Sequence, residues 1–342
     1  DQEVVYHSPA AQAVIINSGI ANACTGAEGY GYCKETAEAA AKALNVPENS
    51  VLVASTGVIG MQLPMDRIAA GVEKLAAAKD GSEKEGLEAA KAIMTTDTKP
   101  KYVGAQIEIG GKTVTIGGMC KGSGMIHPNM CTMLGFITTD AAITKELLQK
   151  ALSDDIKDTF NMISVDGDTS TNDTVLLLAN GMAENPVIDE ENSPEYAEFK
   201  KALNYVNTEL SKKIAGDGEG ATCLFEVKVV GAESKEQAVS TLTKAAIYGH
   251  DANWGRILCA MGYSGAQFDP EKVDLYFESK AGKLKIIENG VSTGYSEEVA
   301  TKILSEDHVT AIADVKMGDC TATAWGCDLT HEYVNINADY RS

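Results

Sequence analysis

Residues 121–140, KGSGMIHPNMCTMLGFITTD, run from glycines, a serine and a proline straight into an apolar strand. The small residues and Pro128 keep the first part irregular. The second part has the β-branched and aromatic content of a buried strand. Thr132 stands at the junction. A β-branched residue suits a strand start, and that alone accounts for it. A second reading gives it chemistry. A threonine hydroxyl is a weak nucleophile at neutral pH and needs a base beside it. If the chain cuts itself between Cys131 and Thr132, the released α-amine, with a pKa of about 8, serves as base for its own Oγ. The cut must overcome amide resonance. A Gly-Ser-Gly and Pro segment ahead of a fixed strand is one way to hold that bond distorted.

Upstream, VLVAS (51–55) reads as a buried strand and TGVIG as the loop after it. Thr56 and Gly57 there set a hydroxyl beside a backbone N–H, the arrangement of an oxyanion hole. The plainer reading is a glycine turn at a strand end. QAVIINSG (12–19) is the first strand, and alanines and glutamates predict a helix over 33–44. Helices are expected over 65–78 and 83–94, and AQIEI-GG-KTVTI (105–116) is a hairpin turned by Gly110 and Gly111. Downstream, 144–160 has a period of 3.6. NMISV, DGDTSTND and TVLLLANG read as strand, polar loop, strand. A long helix over 193–216 starts at Ser-Pro, LFEVKVVG (224–231) alternates as a strand, and a helix is expected over 233–247. The class is α/β with a mixed sheet and helices outside rather than a regular βαβ alternation. A polar, glycine-rich stretch at 216–222 divides residues 1–220 from a smaller unit at 221–342.

The 342 residues carry 29 Lys+Arg against 49 Asp+Glu, a formal charge of −20. That balance argues against nucleic-acid binding, which needs a basic footprint, and against docking on an anionic membrane. No apolar run approaches the roughly 20 residues of a membrane helix. The opening DQEVVYHSPAAQ lacks the basic and apolar regions of a signal peptide. With eight cysteines and no Cys-x-x-Cys, these features lead to the expectation of a cytoplasmic protein with reduced thiols. Five scattered histidines show no zinc spacing, and IGGKT lacks the first glycine of a phosphate loop. DGDTSTND carries Asp166, Asp168 and Asp173 without the offsets of a calcium loop, and reads as an Asx-rich turn capping its own backbone. No metal or cofactor is expected.

Seven motifs occur in order over residues 13–342: NSGIANACTG, STGVIG, KGSGMIHPNMCTMLGFITTD, SVDGDTSTND, DGEGAT, DANWGRIL and INADYRS. Together they resemble the ornithine acetyltransferase family, the glutamate N-acetyltransferases of arginine biosynthesis. The resemblance implies a chain that cleaves itself between Cys131 and Thr132, with Thr132 as nucleophile and Thr56 and Gly57 as oxyanion donors. It puts substrate contacts on Thr98, Lys121, Thr132, Glu219, Asn337 and Ser342. It implies a helix-sheet-sheet-helix sandwich, with a smaller C-terminal α/β domain bringing the tail to the site. That self-cleaving threonine-nucleophile fold is shared with some self-processing aminopeptidases and is distinct from the Ntn hydrolases. The implied reaction is ping-pong acetyl transfer from N2-acetylornithine to glutamate, without a cofactor and with acetyl-CoA as a possible second donor. The implied assembly is an oligomer of cleaved heterodimers. Ile20 stands where the family commonly has Asn, Cys131 where Ala is frequent and Ser342 where Thr is frequent. The family's usual Gly-Gly-x-Thr-x-Pro-x-Gly-Phe opening is not in this sequence. A self-processing hydrolase of the same superfamily and an inactive truncated homologue are the alternatives.

Overall fold

The computed structural model describes residues 1–127, 133–168, 172–232, 241–263 and 268–339. The chain begins with α1 (Gln2–His7), β1 (Ala13–Asn17), α2 (Gly26–Leu44), β2 (Val51–Ser55), α3 (Met65–Ala78) and α4 (Glu83–Ala92). Then come β3 (Lys101–Ile109), β4 (Lys112–Lys121), β5 (Leu134–Thr139), α5 (Lys145–Asp155), β6 (Ile163–Ser164), β7 (Thr174–Ala179) and α6 (Pro194–Ala215). The remainder holds β8 (Leu224–Ala232), α7 (Thr241–Tyr248), α8 (Trp254–Tyr263), β9 (Asp274–Ser279), β10 (Gly282–Glu288) and β11 (Val291–Ser292). It ends in α9 (Glu297–Leu304), β12 (His308–Asp314), β13 (Cys320–Cys327) and α10 (His331–Asp339). The class is mixed α/β, as expected. β1 pairs with β2, β3-β4-β5-β7 form a second sheet, and β11-β10-β9-β12-β8-β13-β6 form a third.

Side-chain alternation explains the layering, because successive residues of a strand face opposite ways. Ala13, Ile15 and Val51 pack with Ala40, Ala41 and Val72 of α2 and α3. Val14, Ile16, Leu52 and Ala54 pack instead with Met119, Leu134, Phe136 and Leu176 of the second sheet. The other face of that sheet, with Val114, Ile116, Cys120 and Ile137, packs on α6. The layers therefore run helix, sheet, sheet, helix. Helix α6 buries Tyr196, Phe199, Leu203, Val206, Leu210 and Ile214 at helical spacing. Its N-cap Ser193 accepts the Tyr196 N–H, as the Ser-Pro start suggests. Trp325 and Cys327 of β13 join the same core, so α6 also carries the edge of the third sheet.

Gly110 and Gly111 take φ of +58° and +77°, the two positive values a tight hairpin turn needs. The hairpin is longer than the expected 105–116, and its register runs from Ile109↔Lys112 back to Lys101↔Cys120. The extension delivers Lys101 and Lys121 to one end of the sheet, where β5 and β7 also begin, paired Leu134↔Thr174. Helix α2 starts seven residues earlier than its alanines suggest. Asn22 Nδ2 donates to Gly29 O at 2.7 Å, and a Cβ on Gly29 would stand 1.9 Å from Thr25 Oγ1. Here tertiary fit overrides low helix propensity. NMISV and TVLLLANG enter different sheets: β6 pairs with β13 and β7 with β5. The loop between them thus spans two sheets. Residues 233–240 of the helix expected over 233–247 lie outside the described residues, and α7 begins at Thr241.

Candidate active site

Parallel pairing of β1 with β2 continues past the strand ends. Thr56 N donates to Asn17 O and Val58 N to Gly19 O, both at 3.1 Å. The N–H of Gly57, between them, points away from β1 and has no hydrogen-bond partner among the described residues. Gly57 has φ +126°, and a Cβ there would lie 2.2 Å from the carbonyl carbon of Gly19. Only glycine fits. Thr56 is 1% exposed, with its own N–H already used, so its hydroxyl is what it can offer a ligand. Asn22 N donates to Ser55 Oγ at 2.7 Å and Ser18 Oγ to Ala92 O at 2.6 Å. These bonds tie the 17–22 and 55–58 loops to the last residue of α4, just ahead of residues 94–99.

Those residues, 94–99, meet the open end of the second sheet in a buried charge cluster. Lys101 Nζ donates to Asp97 at 2.6 Å, Asp217 at 2.5 Å and Lys99 O at 3.4 Å, which uses all three of its protons. Lys121 Nζ donates to Thr95 Oγ1 at 2.8 Å and lies 3.9 Å from Asp97, leaving two protons without partners among the described residues. Burial pulls the Lys121 ammonium below the ordinary lysine range against the opposing charges of Asp97, Glu219 and Asp173. Burial pushes the Asp97 carboxyl up, but Lys101 and Lys121 outweigh it and hold the group below its usual range. The neighbouring Cys120 thiol is pushed up to about 12 by burial, so it is inert at neutral pH.

Glu219 accepts Thr96 Oγ1 at 2.8 Å and Asn337 Nδ2, from α10, at 2.7 Å. Its own N–H is held by Ser123 O at 2.9 Å. A Cβ on Gly124 would stand 2.4 Å from the Glu219 carboxylate. Adjacent residues Thr95 and Thr96 therefore bond one cation and one anion. Thr98 turns its hydroxyl onto Asp217, which also accepts the Thr98 N–H at 3.0 Å. The DGEGAT loop is locked to the C-terminal strand by Asp328, which accepts the N–H groups of Thr222 and Cys223 at 2.8 and 2.9 Å.

The loop after β6 grips the segment that leads to Thr132 on both sides. Asp166 accepts the N–H groups of Met125 at 2.6 Å and Ile126 at 2.9 Å, and the Tyr333 hydroxyl at 3.1 Å. Its contact to its own loop, Asp168 N at 3.3 Å, is the minor one. The expected self-capping turn is thus chiefly a clamp on another segment. Asp173 accepts the Met133 N–H at 2.9 Å, and Thr174 N donates to Met133 O at 3.1 Å. Buried Lys244, from α7, donates to the Ser164 and Val165 carbonyls and fixes the stem of this loop.

Of the residues singled out in the sequence, Lys121, Glu219 and Asn337 come together here, Thr98 is bonded to Asp217 two residues before Glu219, and Thr56 with Gly57 ends the adjoining β2 loop. Cys131, Thr132 and Ser342 lie outside the described residues. Sequence reading missed Asp97, Lys101, Asp217 and the two threonines at 95 and 96. The signal for all of them but Asp217 is the polar cluster TTDTKPK (95–101), and Asp217 is the first residue of DGEGAT (217–222).

The whole chain, residues 1–342, matches the model of the ArgJ family. A Thermotoga neapolitana protein named arginine biosynthesis bifunctional protein ArgJ is 51% identical, over 100% of this chain and 87% of that protein. A Clostridium acetobutylicum protein named arginine biosynthesis bifunctional protein ArgJ 1 is 53% identical, over 96% of this chain and 82% of that protein. Among solved structures, the arginine biosynthesis bifunctional protein ArgJ of Bacillus halodurans superposes with a TM-score of 0.56 at 47% identity. That match covers 59% of this chain and 97% of the other.

Proposed function

The chain belongs to the ArgJ family, and from that premise we propose that it moves an acetyl group from N2-acetylornithine to glutamate through an acetyl ester on Thr132. The reading has the chain cut between Cys131 and Thr132, which turns the threonine nitrogen into an amine. Thr132 Oγ attacks the acetyl carbonyl while that amine takes its proton. The Thr56 hydroxyl and Gly57 N–H face the developing oxyanion, each donor worth about 3–4 kcal/mol. Ornithine leaves with the proton. Glutamate enters, its amine attacks the ester, and Thr132 is restored. Acetyl-CoA serves the same ester as a second donor in this scheme, and no metal or cofactor takes part.

The observation that carries the reading is the pair formed by Lys121 and Glu219. One cation with two unused protons and one anion are fixed through adjacent threonines in a buried site. Lys121 suits the α-carboxylate common to both substrates, and Glu219 suits the ornithine ammonium. Thr98, Asn337 and Ser342 complete the proposed substrate contacts. Strands β4 and β5 lie on either side of the proposed cut and pair over Ile116↔Thr139 to Lys121↔Leu134. The two pieces therefore share a sheet and a core, which supports cleaved heterodimers that associate further.

The test is direct. The purified protein runs as two pieces on a denaturing gel, and the second piece sequences as Thr-Met-Leu-Gly. Incubated with N2-acetylornithine alone, that piece gains one acetyl group, which glutamate removes as N-acetylglutamate. Thr132→Ala stays in one piece and transfers nothing. A single uncut band with full transferase activity overturns the mechanism, and acetate release without transfer to glutamate makes the protein a hydrolase.

A further inference from the structure

Self-cleavage needs a base that the mature enzyme does not, and this inference rests on the reading of Thr132 as nucleophile. In the uncut chain the Thr132 nitrogen is an amide and takes no proton. For Oγ to attack the Cys131 carbonyl, its hydroxyl proton must go elsewhere. When the C–N bond then breaks, the departing nitrogen must gain a proton. The product is an ester between Cys131 and Thr132 beside a free amine, and water hydrolyses it to the Cys131 carboxylate and the Thr132 hydroxyl.

Among the described residues, one unsaturated carboxylate contacts the residue that follows this peptide. Asp173 Oδ1 accepts the N–H of Met133, the residue bonded to Thr132, at 2.9 Å. Covalent geometry keeps Thr132 Oγ within about 5 Å of that nitrogen. The contact is fixed by register, since Thr174 opens β7 and its N–H donates to Met133 O. The second oxygen, Asp173 Oδ2, is buried and has no hydrogen-bond partner among the described residues. Asp166, on the upstream side, differs: three N–H groups and the Tyr333 hydroxyl occupy both its oxygens. We propose that Asp173 is the base for self-cleavage, its Oδ2 taking the Thr132 hydroxyl proton as Oγ attacks and passing it to the departing nitrogen. Burial raises the Asp173 carboxyl to about 7, despite the Met133 N–H and the Lys121 charge, which matches a base to neutral pH.

The full chain, made by cell-free synthesis, is followed from precursor to fragments on denaturing gels between pH 5.5 and 8.5, bounds chosen to span about one and a half units either side of a midpoint near 7. The parent rate is expected to rise with pH and level off above that midpoint. Asp173→Asn keeps an acceptor for the Met133 N–H, and is expected to slow cutting by about 100-fold or more and to erase the midpoint. Asp173→Glu recovers part of the rate. Asp173→Asn cut as fast as the parent overturns the inference. If Asp173→Asn does not fold, the parent profile decides, and a rate flat across the range overturns it. A parent chain not cut before Thr132 overturns the nucleophile reading, and the inference falls with it. A parent cut normally beside an equally fast Asp173→Asn overturns the inference alone.

Discussion

Lys101 and Lys121 stand on paired strands at one end of one sheet and both reach toward Asp97, at 2.6 and 3.9 Å, yet only Lys101 is saturated. Their removal should therefore be felt differently. Lys101→Met leaves Asp97 and Asp217 buried without their main cation, and breaking such a pair costs about 3–5 kcal/mol of stability. Lys121→Met leaves Asp97 bound to Lys101, so the melting temperature falls less. What it removes is a charged donor to substrate, worth about 1.5–3 kcal/mol, or about 10- to 150-fold in kcat/KM for both substrates. Thermal melts and steady-state kinetics on the two variants separate the roles. Equal losses of stability with unchanged kinetics would place Lys121 in the scaffold.

Gly57 is held by a steric constraint and offers an N–H without a partner among the described residues, so its substitution should fail twice. Gly57→Ala places a methyl 2.2 Å from the Gly19 carbonyl carbon, and the two loops must part. Thr56→Val keeps size and burial and removes only the hydroxyl. Its kcat is expected to fall by about 100- to 1000-fold with KM little changed, as for other oxyanion donors. A kcat within threefold of the parent, in a folded variant, would remove Thr56 from the mechanism.

Asp274 predicts an acid-sensitive third sheet. It accepts Lys316 Nζ at 2.7 Å, Lys285 Nζ at 3.2 Å and Asn289 N at 2.8 Å. Burial pushes its carboxyl up, but these partners bring it down to about 2. A carboxyl lowered in the folded state stabilises above its ordinary pKa, and that contribution is lost as pH falls from about 4 toward 2. Asp274→Asn should be weaker than the parent by about 1–3 kcal/mol at pH 7. The gap in urea midpoints should narrow as pH drops through that window. A gap independent of pH would assign the effect to lost packing.

These residues also show what could be read from the sequence. The Gly-Gly hairpin, the Ser-Pro helix start and the buried VLVAS strand follow from local rules, and Thr56 with Gly57 follows from its place after that strand. Asp97, Lys101 and Asp217 do not, because their meeting depends on the β3–β4 register and on a loop about 120 residues away. The same holds for Asp166 and Asp173. An Asx turn is a local pattern, whereas their main partners are backbone N–H groups about 40 residues distant. Polar residues that serve another segment leave no periodic signal.

Glu219 tests how one pocket treats two substrates of opposite side-chain charge. Its carboxylate accepts from Thr96 and Asn337, one oxygen each. Glu219→Gln keeps the shape and one acceptor but removes the charge. In a ping-pong scheme, kcat/KM for each substrate reports only its own half-reaction. Acetylornithine, which brings an ammonium to this position, should lose the charged contact, and its kcat/KM should fall by about 10-fold or more. Glutamate brings a carboxylate there, so removing Glu219 lifts a repulsion, and its kcat/KM should hold or rise. The ratio of the two constants should thus shift toward glutamate by about 10-fold or more. An equal fall in both would mean that Glu219 acts through Thr96 and the 95–98 loop, and that the substrate ammonium is bound elsewhere.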